Sequence, residues 1–284
     1  MKLMGLCFFG VLSLLPDLAR GASLGDMFRW GPKYSNRPFT EKLVGVPVFL
    51  MTTTHGAPYL YPNGDMSEIV CFLDPSDAEE KITDALMSQK NLDARVCVMG
   101  LERIWKNVYP SVLQQKQAAE EEGGQTKRGR GGRRRGRRAQ SRDLIWTLRG
   151  SSAQKQYIAK TFNRKDRNKI DVPVFRVETL RMKRGSEWIM PLFMDYDDAR
   201  LAWDRLKALN PSLPSRGKIY AHDLVKFLSE REVLTERARK KEISPELYRI
   251  QGAWGIVPSS KAKAYVKTAT ERGARKARLP RMRI

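Results

Sequence analysis

The stretch VGVPVFLMTT at residues 44–53 has its core written a second time, as DVPVFRVETL at 171–180. One apolar run of this kind reads as a buried strand whose Pro favours a strand start or a sheet edge. Two runs sharing Val46-Pro47-Val48-Phe49 and Val172-Pro173-Val174-Phe175 call for comparison of everything downstream, because self-similarity at a long spacing changes the expected architecture. CFLDPSDAEEKITDAL follows the first run and LFMDYDDARLAWDRL the second. Aligned on Phe72 and Phe193, both read Phe-x-Asp-x-x-Asp-Ala. Each continues with apolar residues at helical spacing: Ala78, Ile82, Ala85 and Leu86 in the first, Ala199, Ala202, Trp203 and Leu206 in the second. Acidic and hydroxyl residues suited to an N-cap open both helices, namely Asp74, Ser76 or Asp77, and Asp195, Asp197 or Asp198.

A third element follows in each half. ARVCVMGLERIWKNVY at 94–109 and GKIYAHDLVKFLSER at 217–231 both pass from a β-branched or aromatic run into helical spacing. Each half therefore reads β-β-β-α-β-α. Lys183, Arg184 and Gly185 mark a hairpin in the second half, and the first uses a longer turn that includes Asn63-Gly64. The fold class expected is α/β in the α+β sense, with two pseudo-symmetric halves forming one domain.

Charge divides the chain further. It has 53 Lys and Arg against 31 Asp and Glu, a net +22, which points to nucleic acid, anionic membrane or acidic protein as partner. Residues 127–138, KRGRGGRRRGRR, hold eight bases and no acid, and 261–284 hold nine bases and the single acid Glu271. Most of the excess is thus confined to two stretches attached to a nearly ordinary domain. The expected boundaries are a first repeat at 41–113, an exposed Arg/Gly-rich insertion at 114–168, a second repeat at 169–260 and a basic tail at 261–284.

The N-terminus reads as a signal peptide over 1–23: Lys2, thirteen uncharged and mostly apolar residues from Leu3 to Leu15, then small residues near Gly21 to Ser23. Thirteen residues are too few for a membrane-spanning helix, and no later run is long enough. Residues 24–40 carry Arg29, Lys33 and Arg37 against Asp26, and read equally as a transit peptide or as a loose arm. Cys71 and Cys97 lie in strand-like contexts, as buried thiols or as a disulfide that geometry would decide.

An enzyme would need a constellation that this chain does not spell. His55 and His222 are its two histidines, and no metal-ligand spacing joins them to the cysteines. The glycines of 129–136 alternate with Arg and follow no strand, so they make no dinucleotide loop. Neither a cofactor, a metal nor a small-molecule substrate is expected. Repeated Arg-Gly is a composition of RNA-binding segments, yet 127–138 has no aromatic platform for stacking bases. Arg133, Arg134, Arg135, Arg137 and Arg138 are the residues that would carry binding to RNA or to an anionic lipid surface.

EKLVGVPVFLMT, EIVCFLDPSDAEEKI and VPVFRVETLRMKRGSEWIMPLFMDYDDARLAWDRL together resemble the Tic twenty-two family, the intermembrane-space component of the chloroplast protein-import machinery. The resemblance runs from Glu41 to Ser260 apart from the insertion. It implies two pseudo-symmetric α/β halves with apolar pockets that hold or chaperone preproteins between the plastid envelopes, alongside other translocon subunits. It also implies a protein soluble or peripheral in the intermembrane space; the leader would suit a plastid reached through the secretory pathway. Phe49, Phe72, Phe175, Phe193 and Trp203 either line such a client groove or fill the core, and sequence does not separate the two. The family's Gly before VPVF is kept as Gly45, but Asp171 stands there in the second half.

Overall fold

β1 (Pro47–Thr52) is buried at all six positions, the mark of a strand covered on both faces rather than on one. The computed structural model describes residues 37–64, 66–125, 144–163, 167–185 and 187–278. The signal peptide at 1–23, most of the 24–40 stretch and the Arg/Gly-rich run at 127–138 lie outside them. The chain divides into two compact units.

One unit comprises Leu43–Pro173 and Pro258–Ile284. In its sheet β1 lies between β3 (Met66–Phe72) and β4 (Arg95–Gly100), antiparallel to both, with Phe49 opposite Phe72 and Val98. β2 (Tyr61–Asn63) makes a hairpin with β3. Its turn begins at Gly64, whose φ of 59° is costly for any residue with a Cβ. β5 (Leu144–Arg149) lies parallel to β3 on the far side. Two helices, α2 (Pro75–Ser88) and α8 (Ser260–Arg278), cover the Phe49 face, while α3 (Leu101–Gln125) packs on the other. The short α4 (Ser152–Thr161) follows β5.

The other unit comprises Met1–Lys42 and Val174–Val257. β6 (Pro173–Val177) lies between β8 (Glu187–Phe193) and β9 (Ile219–Asp223), with Phe175 opposite Phe193. β7 (Met182–Arg184) forms the hairpin with β8, turning at Gly185, φ 61°. β10 (Trp254–Val257) runs parallel to β8. Helices α5 (Tyr196–Leu209), α6 (Leu224–Arg239) and α7 (Pro245–Gly252) complete the unit with the single-turn α1 (Phe39–Lys42). The two sheets have matching strand orders, β5-β3-β1-β4 and β10-β8-β6-β9.

The shared Phe-x-Asp-x-x-Asp-Ala segment has a structural explanation. Asp74 caps α2 by accepting the Ser76 N–H at 3.0 Å, and its second oxygen accepts the Ser151 hydroxyl at 2.8 Å. Asp77 accepts the Ser152 N–H at 2.8 Å and so holds the start of α4. Asp195 caps α5 through the N–H groups of Asp197 and Asp198. Each cap supplies an acceptor to donors that the first helical turn leaves unpaired. Ala78 and Ala199 are fully buried where these helices meet their sheets.

Four expectations change. The insertion is narrower than 114–168, because α3 continues to Gln125 and β5 and α4 are ordered elements; Ile145 and Leu148 are buried on opposite faces of β5. The 261–284 tail begins as part of the core: Ala262 is 1% exposed, and Tyr265 and Val266 pack on Phe49, Val70 and Phe72. The 24–40 stretch runs into α1 and carries a buried residue there, Phe39, whose ring lies 6.0 Å from that of Trp254. The repeats at 41–113 and 169–260 are not the packing units, since α1 belongs with the second-half strands and α8 with the first. The departure before the second VPVF is accommodated as well. Gly45 has φ 83°, which favours glycine, whereas Asp171 pairs with Lys155 at 2.6 Å instead.

Candidate functional site

The five aromatic residues proposed from sequence as client contacts are buried inside their own units. Phe49 lies under the edge of the Tyr265 ring, 5.3 Å between centroids, and Phe175 meets Tyr196 in the same way at 5.6 Å. Phe72 and Phe193 are their cross-strand partners. Trp203 lies against Gly217, where a Cβ would stand 2.5 Å from the indole ring. These side chains sit where opposed strand and helix faces close on one another, so they form core and present nothing to a client. Arg133, Arg134, Arg135, Arg137 and Arg138 lie outside the described residues.

Cys71 and Cys97 are free thiols. Both stand opposite Leu50, one on each side of β1. Two strand spacings separate them by about 10 Å, beyond the reach of a disulfide. Burial, aided by Glu68, pushes the Cys71 thiol up to about 12. His55 is exposed in a turn. His222 is half-buried beside α6, its Nε2 without a partner among the described residues, and burial and then Arg176 lower its pKa against an opposing effect of Glu230. Among the described residues, no group of three or more His, Cys, Asp or Glu is placed to hold a metal ion.

The second-half unit holds an open groove of about 560 Å³ over one face of its sheet. Strand alternation puts Trp188 and Met190 on that face of β8, and the parallel register sets Trp254 beside Met190. Arg176 follows Phe175 by one residue in β6 and so points to the same side. α6 contributes Arg231, and α7 contributes Arg249 and Ile250. Arg181 completes four guanidinium groups, with Glu187 as the one carboxylate among the lining residues. Two of the arginines are held by rings: Arg176 lies 5.1 Å from the centroid of Tyr220, and Arg231 lies 4.8 Å from that of Phe227. The Nε of each is buried without a partner among the described residues. Ile250 is 70% exposed.

Behind this groove lies a tight pocket of about 10 Å³, too small for more than one water. Lys42 of α1 enters it and donates from Nζ to the Gly252 carbonyl at 2.9 Å. That carbonyl ends α7, where orphan acceptors and the helix dipole both favour a cation. Burial lowers the Lys42 pKa to about 8; Glu187 opposes the shift and Arg231 adds to it. Sequence reasoning passed over Lys42, Arg176 and Arg231. The signal for Arg176 was its position within an otherwise apolar strand, VPVFRV.

No protein-family model matches this chain, and no curated protein sequence matches it. Its three-dimensional structure is similar to that of Tic22 from Plasmodium falciparum, with a TM-score of 0.61 and 20% identity over 83% of this chain and 99% of that one. It is also similar to Anabaena Tic22, a protein-transport protein, with a TM-score of 0.52 and 18% identity over 81% and 95% of the two chains. Identity this low carries the fold and leaves site chemistry to be argued from the residues themselves. The chain has a divergent Tic22-like fold.

Proposed function

We propose that this chain is a Tic22-like component of plastid protein import, binding or chaperoning preproteins between envelope membranes without chemistry, cofactor or metal of its own. The observation that carries the reading is the extent of the fold likeness, which takes in 99% of the Plasmodium protein rather than a fragment of it. The protein-transport role of the Anabaena neighbour supports it. Its partners would be preproteins and translocon subunits rather than a small molecule. Among the described residues no helix is long and apolar enough to cross a membrane, in keeping with a soluble or peripheral place in the intermembrane space, reached through the secretory pathway.

With these five aromatics occupied in the core, an apolar client segment would meet exposed side chains instead, of which Leu247 and Ile250 lie one helical turn apart on α7. The alternative, an RNA- or anionic-surface-binding protein working through the insertion and tail, is separated by one titration. An unfolded plastid precursor and a generic RNA are measured against the full chain and a variant with Arg133, Arg134, Arg135, Arg137 and Arg138 neutralised, at low and high salt. Import predicts that precursor binding survives both changes, because apolar burial persists as salt rises, while RNA binding collapses. Precursor binding that vanishes with the arginines, or a C-terminally tagged chain found in cytosol or nucleus, would overturn the reading.

A further inference from the structure

We propose that the groove over the second sheet is a docking site for an extended peptide segment of a partner protein in which carboxylates alternate with large apolar side chains. The groove concerns the chemistry of that partner, whichever pathway the chain serves, and so stands apart from the import reading.

The two sheets themselves supply the first argument. Leu50 and Arg176 occupy the same register position, each one residue past the Phe of VPVF. In the first sheet this face is sealed: Leu50 is 1% exposed, and Ile69 and Cys71 beside it are buried under α3. In the second sheet the matching positions are Arg176, Met190 and Leu192; Leu192 is buried as its counterpart is, but Arg176 and Met190 line the 560 Å³ groove. A scaffold able to close this face with Leu carries a half-buried guanidinium there instead. Buried donors without a partner cost stability, and among the described residues both Arg176 and Arg231 have one at Nε. Each guanidinium is otherwise only partly engaged, Arg231 Nη1 donating to the Gln251 carbonyl at 3.3 Å and Arg176 Nη1 to the Met190 sulfur at 3.9 Å, so an anion would take up the donors that remain.

The lining then specifies the ligand. Four guanidiniums against one carboxylate select an anion, and the planar fork of Arg suits a carboxylate or a phosphate bidentately. Trp188, Met190 and the exposed Ile250 add an apolar floor and wall that a bare phosphate would leave uncovered. A bilayer surface is met by a protruding basic and apolar face rather than by a recess over a sheet. A volume of this size accepts a few side chains of an extended segment. A transit peptide has the wrong sign, being rich in Arg and poor in acids.

The test uses the full chain with the five insertion arginines neutralised, so that the Arg/Gly-rich run cannot bind acids on its own. A short fluorescein-labelled peptide alternating Glu with Leu and Phe is titrated by anisotropy, with its Lys-for-Glu counterpart as control. Arg249→Glu and Ile250→Asp alter exposed groove residues, and Arg176→Leu installs the residue that the first sheet uses. Each variant is first shown to melt as the parent does. The acidic peptide is expected to bind and the basic one not, with Arg176→Leu and Arg249→Glu each weakening binding about ten- to a hundredfold, as loss of a charged hydrogen bond does. Affinity unchanged within about twofold in both folded Arg variants would overturn the proposal. So would displacement of the peptide by millimolar inorganic phosphate, or binding to phosphatidylserine vesicles that falls with these variants while the peptide does not bind.

Discussion

Asp74→Ala tests whether the repeated Phe-x-Asp-x-x-Asp-Ala segment is structural. The carboxylate is 8% exposed and both of its oxygens are engaged, one by the Ser76 N–H at 3.0 Å and the other by the Ser151 hydroxyl at 2.8 Å. Losing the cap costs about 1 kcal/mol, and leaving the buried Ser151 hydroxyl without its acceptor costs about 1–3 kcal/mol more. Together these predict a loss of about 2–4 kcal/mol, or a fall in Tm of roughly 5–15 °C for a unit of this size. Asp74→Asn should cost about 1 kcal/mol or less, since Asn is as good a cap and the Ser151 hydroxyl can rotate to accept from its amide. Calorimetric melts of both variants, of Ser151→Ala and of the double mutant complete a cycle, in which the Asp74–Ser151 coupling should appear as about 1–2 kcal/mol of non-additivity. If Asp74→Ala melts within about 2 °C of the parent, or Asn is as damaging as Ala, the capping account is wrong.

Because burial holds the Lys42 pKa near 8 against an ordinary 10.5, the folded state releases this proton before the unfolded state does. The parent's stability relative to Lys42→Met should therefore be flat below pH 8 and rise between about 8 and 10.5, measured by urea unfolding; a flat difference throughout would contradict the burial. In a Cys7→Ala background, a disulfide reagent at mildly alkaline pH should label Cys97 in the native chain and leave Cys71, whose thiol is pushed up to about 12, until denaturant is added. Rapid native labelling of Cys71 would refute its placement under α3. Deleting 127–140 should leave Tm within about 1 °C, whereas truncation before Ser260 should lower it by about 5 °C or more, since it removes Ala262, Tyr265 and Val266 from the Phe49 core.

The parts of this fold that were legible are the ones specified by neighbours in sequence. Both hairpins turn at a Gly with positive φ, and both Phe-x-Asp helices start at an Asp that caps them locally. β5 and β10 were not legible, and the reason is common to both. Each pairs in parallel with a strand more than sixty residues away, so no turn announces it, and Trp254–Val257 is only four residues long. α8 was read as a tail because its bases mask three apolar residues, Ala262, Tyr265 and Val266, at helical spacing. The Phe side chains stayed open between groove and core for a related reason: composition identifies an apolar side chain, but only packing decides whether water, a helix or a client covers it.

Where two sheets share a strand order, Asp-capped helices and Gly turns, the positions that differ show what each face is for, and Leu50 and Arg176 allow a reciprocal test. Leu50→Arg would place a guanidinium in a sealed face between Cys71 and Cys97, with no carboxylate opposite it in the register. An unpaired buried charge of this kind typically costs 3–5 kcal/mol, or roughly 6–20 °C in Tm. Arg176→Leu does the reverse. It removes an Nε that is buried without a partner among the described residues and leaves a side chain that the equivalent position already accommodates, so stability should change by less than about 1 kcal/mol or increase. The stacking of Arg176 on Tyr220 works against that gain, but at a half-exposed site it is worth only about 0.5–1 kcal/mol. Thermal melts of the two single variants, with the parent as reference, decide the matter. Were Arg176→Leu to destabilise the chain as strongly as Leu50→Arg, the guanidinium would be a structural strut, and the open face of the second sheet would lose its strongest claim to be a binding surface.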